Sequence, residues 1–179
     1  MKKYLFILFV LPLIWVGCEE PEIKDEKPMM CTFENDTIRL QFALKTMDGE
    51  ITTVFLKGEN IIGHCIIENI TNETMLVNYS SSAPHNNIDF GKIYSANNDK
   101  LIAYIEQPIG PFILRKKMLA PGGCIAGGFN YPDEWYGSKY QHLEEGKYYT
   151  KFKPLFCYYE NGAEIDIDIP EFRIDFEVK

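Results

Sequence analysis

The sequence has only three histidines, His64, His85 and His142, and none has a second histidine two or four residues away. Its five cysteines are widely spaced and include no C-x-x-C pair. Structural zinc sites and thioredoxin-type redox sites need close ligand spacing, so neither is expected, and no metal or cofactor is assigned. There is no G-x-S-x-G elbow and no family-specific cysteine signature, which removes the usual marks of an activated serine or cysteine nucleophile. Positive charge is scarce: 18 Lys and Arg stand against 26 Asp and Glu, for a net charge of −8. Such a chain has little attraction for phosphate backbones, and no nucleic-acid partner is expected. Long apolar runs are missing too. The stretch from Tyr4 to Val16 falls short of the ~20 apolar residues that span a bilayer, and Pro12 interrupts it.

What the amino terminus does have is a three-part layout: Lys2 and Lys3, the apolar stretch, then Gly17 and Cys18. That is the order of a secretory signal. The ending Trp15-Val16-Gly17-Cys18 resembles the lipobox of bacterial lipoproteins, with Trp15 where that motif usually carries Leu. The resemblance implies cleavage before Cys18, lipid on its sulfur and a membrane partner reached through that lipid. It also implies a cell-envelope location, the outer membrane of a Gram-negative bacterium on its periplasmic or surface face. The pair Glu19-Glu20 resembles the surface-export signal of some gut-type bacteria, and equally suits a plain solvated linker.

Three segments follow. Residues 1–17 are the expected signal peptide. Residues 18–30 are the lipidated cysteine and an acidic tether, disordered by composition, since EEPEIKDEKP offers almost nothing that can pack. Residues 31–179 are expected to form one domain. Removing the signal leaves 162 residues, with 16 basic against 26 acidic.

In that domain Ile38, Leu40, Phe42 and Leu44 alternate with Arg39, Gln41, Ala43 and Lys45, the period-two pattern of a strand with one buried face. Asp48-Gly49 predicts a reversal into a hairpin partner over 51–56. Further strands are predicted over 61–69, 75–79, 88–94, 101–106, 112–114, 124–129, 148–156 and 172–178, separated by turn residues such as Asn97-Asn98-Asp99 and Pro121-Gly122-Gly123. No convincing amphipathic helix interrupts them. The expected fold is all-β, an immunoglobulin-like β-sandwich. Leu143 to Tyr148 sharpens this, because a tyrosine opening a strand after a tight turn can return its hydroxyl to nearby backbone and close the corner of such a sandwich.

From Gly58 to about Tyr149 the chain resembles the intracellular proteinase inhibitor domain family. The residues that carry this are the Gly58-Glu59 turn, the strand from Ile61 to Glu68 leading into Asn69 and Asn72-Glu73, and the loop Ser80-Ser81-Ser82. Asp89-Phe90, Leu119-Ala120-Pro121-Gly122-Gly123, Trp135, Gly146 and Tyr148 complete the order. The resemblance implies an immunoglobulin-like fold and protease inhibition, with no inhibitory residue mapped.

Removing Cys18 leaves Cys31, Cys65, Cys124 and Cys157, an even set outside the cytoplasm with three connectivities, of which Cys65 with Cys157 is preferred. Glu164, Asp166 and Asp168 alternate with Ile165, Ile167 and Ile169; paired carboxylates can hydrolyse glycosides or ligate calcium, but a solvated face of an edge strand explains the same alternation. The segment from Phe129 to Tyr140 sets Tyr131, Trp135, Tyr136 and Tyr140 among loop-forming residues, the manner in which sandwich loops take up protein or glycan ligands. The expected function is a non-catalytic binding module and not an enzyme. The alternatives are a protease inhibitor and, further off, a carboxylate- or calcium-dependent hydrolase.

Overall fold

A computed structural model describes residues 28–79, 87, 89–104, 116–132 and 142–179. All thirteen elements within the described residues are strands, so the fold is all-β. The strands are β1 (Met30–Glu34), β2 (Ile38–Lys45), β3 (Val54–Phe55), β4 (Ile61–Asn69), β5 (Met75–Asn78), β6 (Ile93–Ser95) and β7 (Leu101–Ala103). They continue as β8 (Lys116–Leu119), β9 (Cys124–Tyr131), β10 (Gly146–Phe152), β11 (Phe156–Glu160), β12 (Ala163–Ile167) and β13 (Phe172–Val178). Three sheets result, in the orders β1-β2-β4-β9, β3-β13-β10-β6-β7 and β12-β11-β5-β8.

In the first sheet, apolar alternation sets the register. Ile38, Leu40, Phe42 and Leu44 are fully buried, and β4 buries Ile61, Cys65 and Ile67 on the same side. The second sheet answers with Phe172, Ile174, Phe176 and Val178 from β13 and with Tyr148 and Phe152 from β10. Between them lies a set of phenylalanine rings. Phe42 meets Phe152 edge-on at 5.0 Å, and Phe90 meets Phe152 at 4.8 Å and Phe129 at 5.2 Å, all in tilted or T-shaped contacts that suit the ring quadrupole. Gly63 makes this possible: an added Cβ there would lie 2.0 Å from the Phe129 ring, so that ring occupies the space a side chain would take.

Asn69 is fully buried with its hydrogen-bonding capacity used. Its Nδ2 donates to the carbonyls of Glu73 at 2.8 Å and Leu119 at 2.9 Å, and its Oδ1 accepts from the Thr71 amide and hydroxyl. Its backbone exchanges bonds with Gly122 and Gly123. One amide thus ties the end of β4 to the turn before β5 and to the β8–β9 connection, satisfying buried polar groups that would otherwise cost stability. Just before β10 the Tyr148 hydroxyl donates to the Glu144 carbonyl at 2.8 Å, closing the turn onto the start of the strand.

Three predicted strands are corrected. The segment 51–56 touches β2 only through the bridge from Lys45 to Ile51; β3 then crosses to the second sheet and runs parallel to β13, because Phe55 is buried edge-on against Phe176. Within the predicted strand 88–94, Asp89 to Gly91 form a turn, with Gly91 at a φ of 89°, and pairing starts at Ile93. The predicted strand 148–156 is two strands broken at Lys153-Pro154-Leu155, where proline removes a ladder donor. The predicted strand 112–114 lies outside the described residues. Strands β1 and β8 lie outside the predicted ones, and β1 starts at Met30, the last residue of the expected tether; β12 forms the edge of the third sheet, in keeping with the alternation of Glu164 and Asp166 with Ile165 and Ile167.

Gly63→Ala is expected to lower unfolding stability by about 1–3 kcal/mol through overpacking against Phe129. In urea denaturation the penalty should shrink when Phe129→Leu is already present; additive losses would show that the ring is not what fills the space.

Candidate functional site

The two arms of the β10-β11 and β12-β13 segments form one long hairpin. Phe152 pairs with Phe172 below the break and Phe156 with Ile167 above it, so the register slips by one residue. The slip falls on the second arm: Ile169 and Phe172 are both buried, with exposed Pro170 and Glu171 between them. Inward positions are therefore even-numbered in β13 and odd-numbered in β12, where Ile167 packs on the core. This turns Glu164 and Asp166 to the outer side of the third sheet. There Asp166 pairs with Cys157 and Glu164 with Tyr159.

The Cys157 sulfur and carboxylate oxygens of Glu164 and Asp166 lie within 4.8 Å of one another. Asn78 reaches over β11 from the neighbouring strand, its Nδ2 donating to Glu164 Oε1 at 2.8 Å. The Tyr159 hydroxyl donates to the other Glu164 oxygen at 3.4 Å, and the Lys116 ammonium sits 4.0 Å from the Tyr159 ring centroid. The cluster is thus acidic and roofed by an amide, with one cation at its margin.

Two features of this cluster are chemically unusual. Burial, and then the hydrogen bonds and charges of Asp166 and Glu164, push the Cys157 thiol up to about 12. In addition Asn78 is 4 % exposed and its Oδ1 has no hydrogen-bond partner. Leaving a buried carbonyl oxygen unanswered costs about 1–3 kcal/mol. The amide orientation is set by Glu164, whose Oε1 accepts from Nδ2.

Cys31, Cys65, Cys124 and Cys157 are all thiols, so the expected pairing of Cys65 with Cys157 is not formed. The reason is geometric. Cys65 points from β4 into the core, whereas Cys157 points to the outer side of the third sheet with Asp166 and Glu164, and a disulfide needs β-carbons about 3.5–4.5 Å apart. Burial also pushes the Cys65 thiol up to about 12. Tyr131, expected in a binding loop, ends β9 opposite Ile61 and is a core residue at 4 % exposure. Trp135, Tyr136, Tyr140 and Cys18 lie outside the described residues.

His64 lies beside Lys45, whose ammonium is 3.1 Å from Nδ1; burial and that charge hold the imidazole below its ordinary range. His85 lies outside the described residues, and the Asp89 carboxylate pairs with Lys92 at 2.6 Å. On the second sheet Tyr94 stacks on Tyr149 at 5.1 Å, Arg173 covers the Tyr149 ring at 3.8 Å, and the Tyr149 hydroxyl donates to Asp99. These groups answer one another and act as cross-strand packing. The alternating face of Glu164 and Asp166 is visible in the sequence, but its grouping with Cys157 and with Asn78, which stands 86 residues from Glu164, is not.

No protein-family model matches the chain, and no curated protein matches it.

The thiols should react in order of exposure and proton affinity. With iodoacetamide near neutral pH, exposed Cys124 is expected to be alkylated well before Cys65 and Cys157, whose raised pKa leaves almost no thiolate until the pH approaches 12. Peptide mass spectrometry over time reads this; equal rates for Cys124 and Cys157 would contradict the buried cluster.

Proposed function

We propose that the protein is a lipid-anchored, non-catalytic binding module of the bacterial cell envelope, built as an immunoglobulin-like β-sandwich and held to the membrane through lipid on Cys18. The sandwich reading is supported by the first and second sheets contributing to one phenylalanine core and by the Tyr148 hydroxyl closing its corner onto Glu144. The anchor reading is supported by the order of Lys2-Lys3, apolar stretch, Val16-Gly17 and Cys18.

The observation that supports the non-catalytic reading is the setting of Cys157, a thiol gathered with two carboxylates and so not arranged as a nucleophile. A nucleophilic cysteine has its thiolate stabilised by a cation, a helix amino terminus or a neighbouring imidazolium. Here the neighbours are two carboxylates, and the thiol is held protonated. Such a group donates or ligates and does not attack. Ligand contact is assigned to the segment that follows Tyr131, with Trp135, Tyr136 and Tyr140 as its aromatic candidates, and the ligand class is protein or glycan.

Mass spectrometry of the mature protein from its native host is expected to show Cys18 at the amino terminus carrying acyl chains; an intact Met1, or a bare Cys18, would remove the anchor. The double substitution Trp135→Ala and Tyr136→Ala should reduce binding on a glycan array, or to envelope proteins of the same cell, by tenfold or more with unchanged circular dichroism. Unaltered binding would remove the segment from the ligand site.

A further inference from the structure

We propose that Cys157, Glu164, Asp166 and Asn78 form a binding site for a divalent metal ion of the zinc class on the outer side of the β12-β11-β5-β8 sheet. This goes beyond the envelope-binding reading and stands independently of it.

Three donor atoms are already gathered: the Cys157 sulfur and one oxygen from each carboxylate lie within 4.8 Å of one another, so that small side-chain rotations of the two exposed carboxylates bring all three to the ligand distances of about 2.0–2.3 Å that one ion requires. A sulfur beside two carboxylates at the surface explains itself poorly as packing. Cys157, the cross-strand partner of Asp166, is itself buried although it faces the outer side with the two exposed carboxylates.

The independent observation is Asn78. It is buried, it spans from β5 to Glu164 on β12, and its Oδ1 is unanswered. An amide oxygen is a metal ligand, and the Nδ2 bond to Glu164 Oε1 fixes the orientation of both groups, as the outer hydrogen bonds of metal sites do. The Tyr159 hydroxyl fixes the second Glu164 oxygen in the same way, and each oxygen retains a lone pair for the ion. Strands hold the four side chains: Cys157 and Asp166 face each other across one ladder, and Asn78 comes from the next.

The donor chemistry selects the ion. Calcium and magnesium take oxygen ligands and leave thiols alone, whereas one thiolate with oxygen donors suits a borderline ion such as zinc or cobalt(II). On binding, the sulfur–metal bond forms as the Cys157 S–H bond breaks and its proton passes to solvent; the metal keeps its oxidation state. Two carboxylates and a thiolate outweigh a divalent ion by one negative charge, and Lys116 at the margin offsets the remainder.

The test is cobalt(II) titration of the full chain in detergent after chelator treatment, under reducing conditions. One ion per chain is expected, with a thiolate-to-cobalt charge-transfer band in the near ultraviolet, displaced by zinc and unaffected by a large excess of calcium. Cys157→Ser should abolish the band, while Cys124→Ser should leave it unchanged. Asp166→Asn and Glu164→Gln are exposed edge-strand changes that keep the fold, checked by circular dichroism, and should weaken uptake tenfold or more. Absence of the band, its survival in Cys157→Ser, its loss in Cys124→Ser, or displacement by calcium would each overturn the site. The anchor is read separately, from the amino-terminal mass.

Discussion

The contact of the Phe129 ring with the bare backbone of Gly63 is the constraint on which the rest of the structure depends. Because β4 carries no side chain at that point, the ring leans across it from β9 and reaches Phe42 and Phe90. Phe90 comes from the short turn before β6, and both it and Phe42 meet Phe152. The first and second sheets are thereby held face to face by rings of fixed geometry, and the position of Phe152 sets where β10 enters the second sheet. Interiors packed at this density transmit displacement and do not absorb it, so the strands that continue from β10 inherit their placement.

From β10 onward the chain is a single long hairpin with a break on each arm. The breaks are of different kinds. On the first arm Lys153-Pro154-Leu155 interrupts pairing but keeps the inward parity, so Phe152, Phe156 and Tyr158 all serve the core. On the second arm Pro170-Glu171 inserts a one-residue slip between Ile169 and Phe172. Without that slip, Glu164 and Asp166 would point at the core and Ile165 and Ile167 at solvent, which the cost of burying two carboxylates forbids. The same slip sets both carboxylates beside Cys157 and under the reach of Asn78. A feature required for folding therefore also assembles the acidic thiol cluster.

Most of the strand pattern was legible because period-two alternation is a local signal. The strands β2, β4, β5 and β13 were placed within a residue of their bounds by the burial of every second side chain. The strand β8 was not, because it is largely exposed and its sequence KKML carries no alternation; β5 recruits it through backbone bonds. Segment 51–56 was read as half of a hairpin because Asp48-Gly49 does make a turn, yet turn chemistry is silent on which sheet the next strand joins. Phe55 decided that by finding Phe176. At the candidate site the two carboxylates were visible as an alternating pair. Their partners were not, since Cys157 read as half of a disulfide and Asn78 as an ordinary position of the predicted strand 75–79.

The sequence by itself determined the all-β class, the faces of its clearest strands, the local bond from Tyr148 to Glu144 and the acidic balance of the chain, because each depends on residues within a few positions of one another or on composition alone. Only the tertiary structure decided that Cys65 and Cys157 lie on opposite sides of their sheets, that Tyr131 belongs to the core, and that a thiol, two carboxylates and a buried amide from three strands converge. Convergence of that kind depends on register across strands, and register is set by how rings such as Phe129 and Phe152 pack, which no local run of residues encodes.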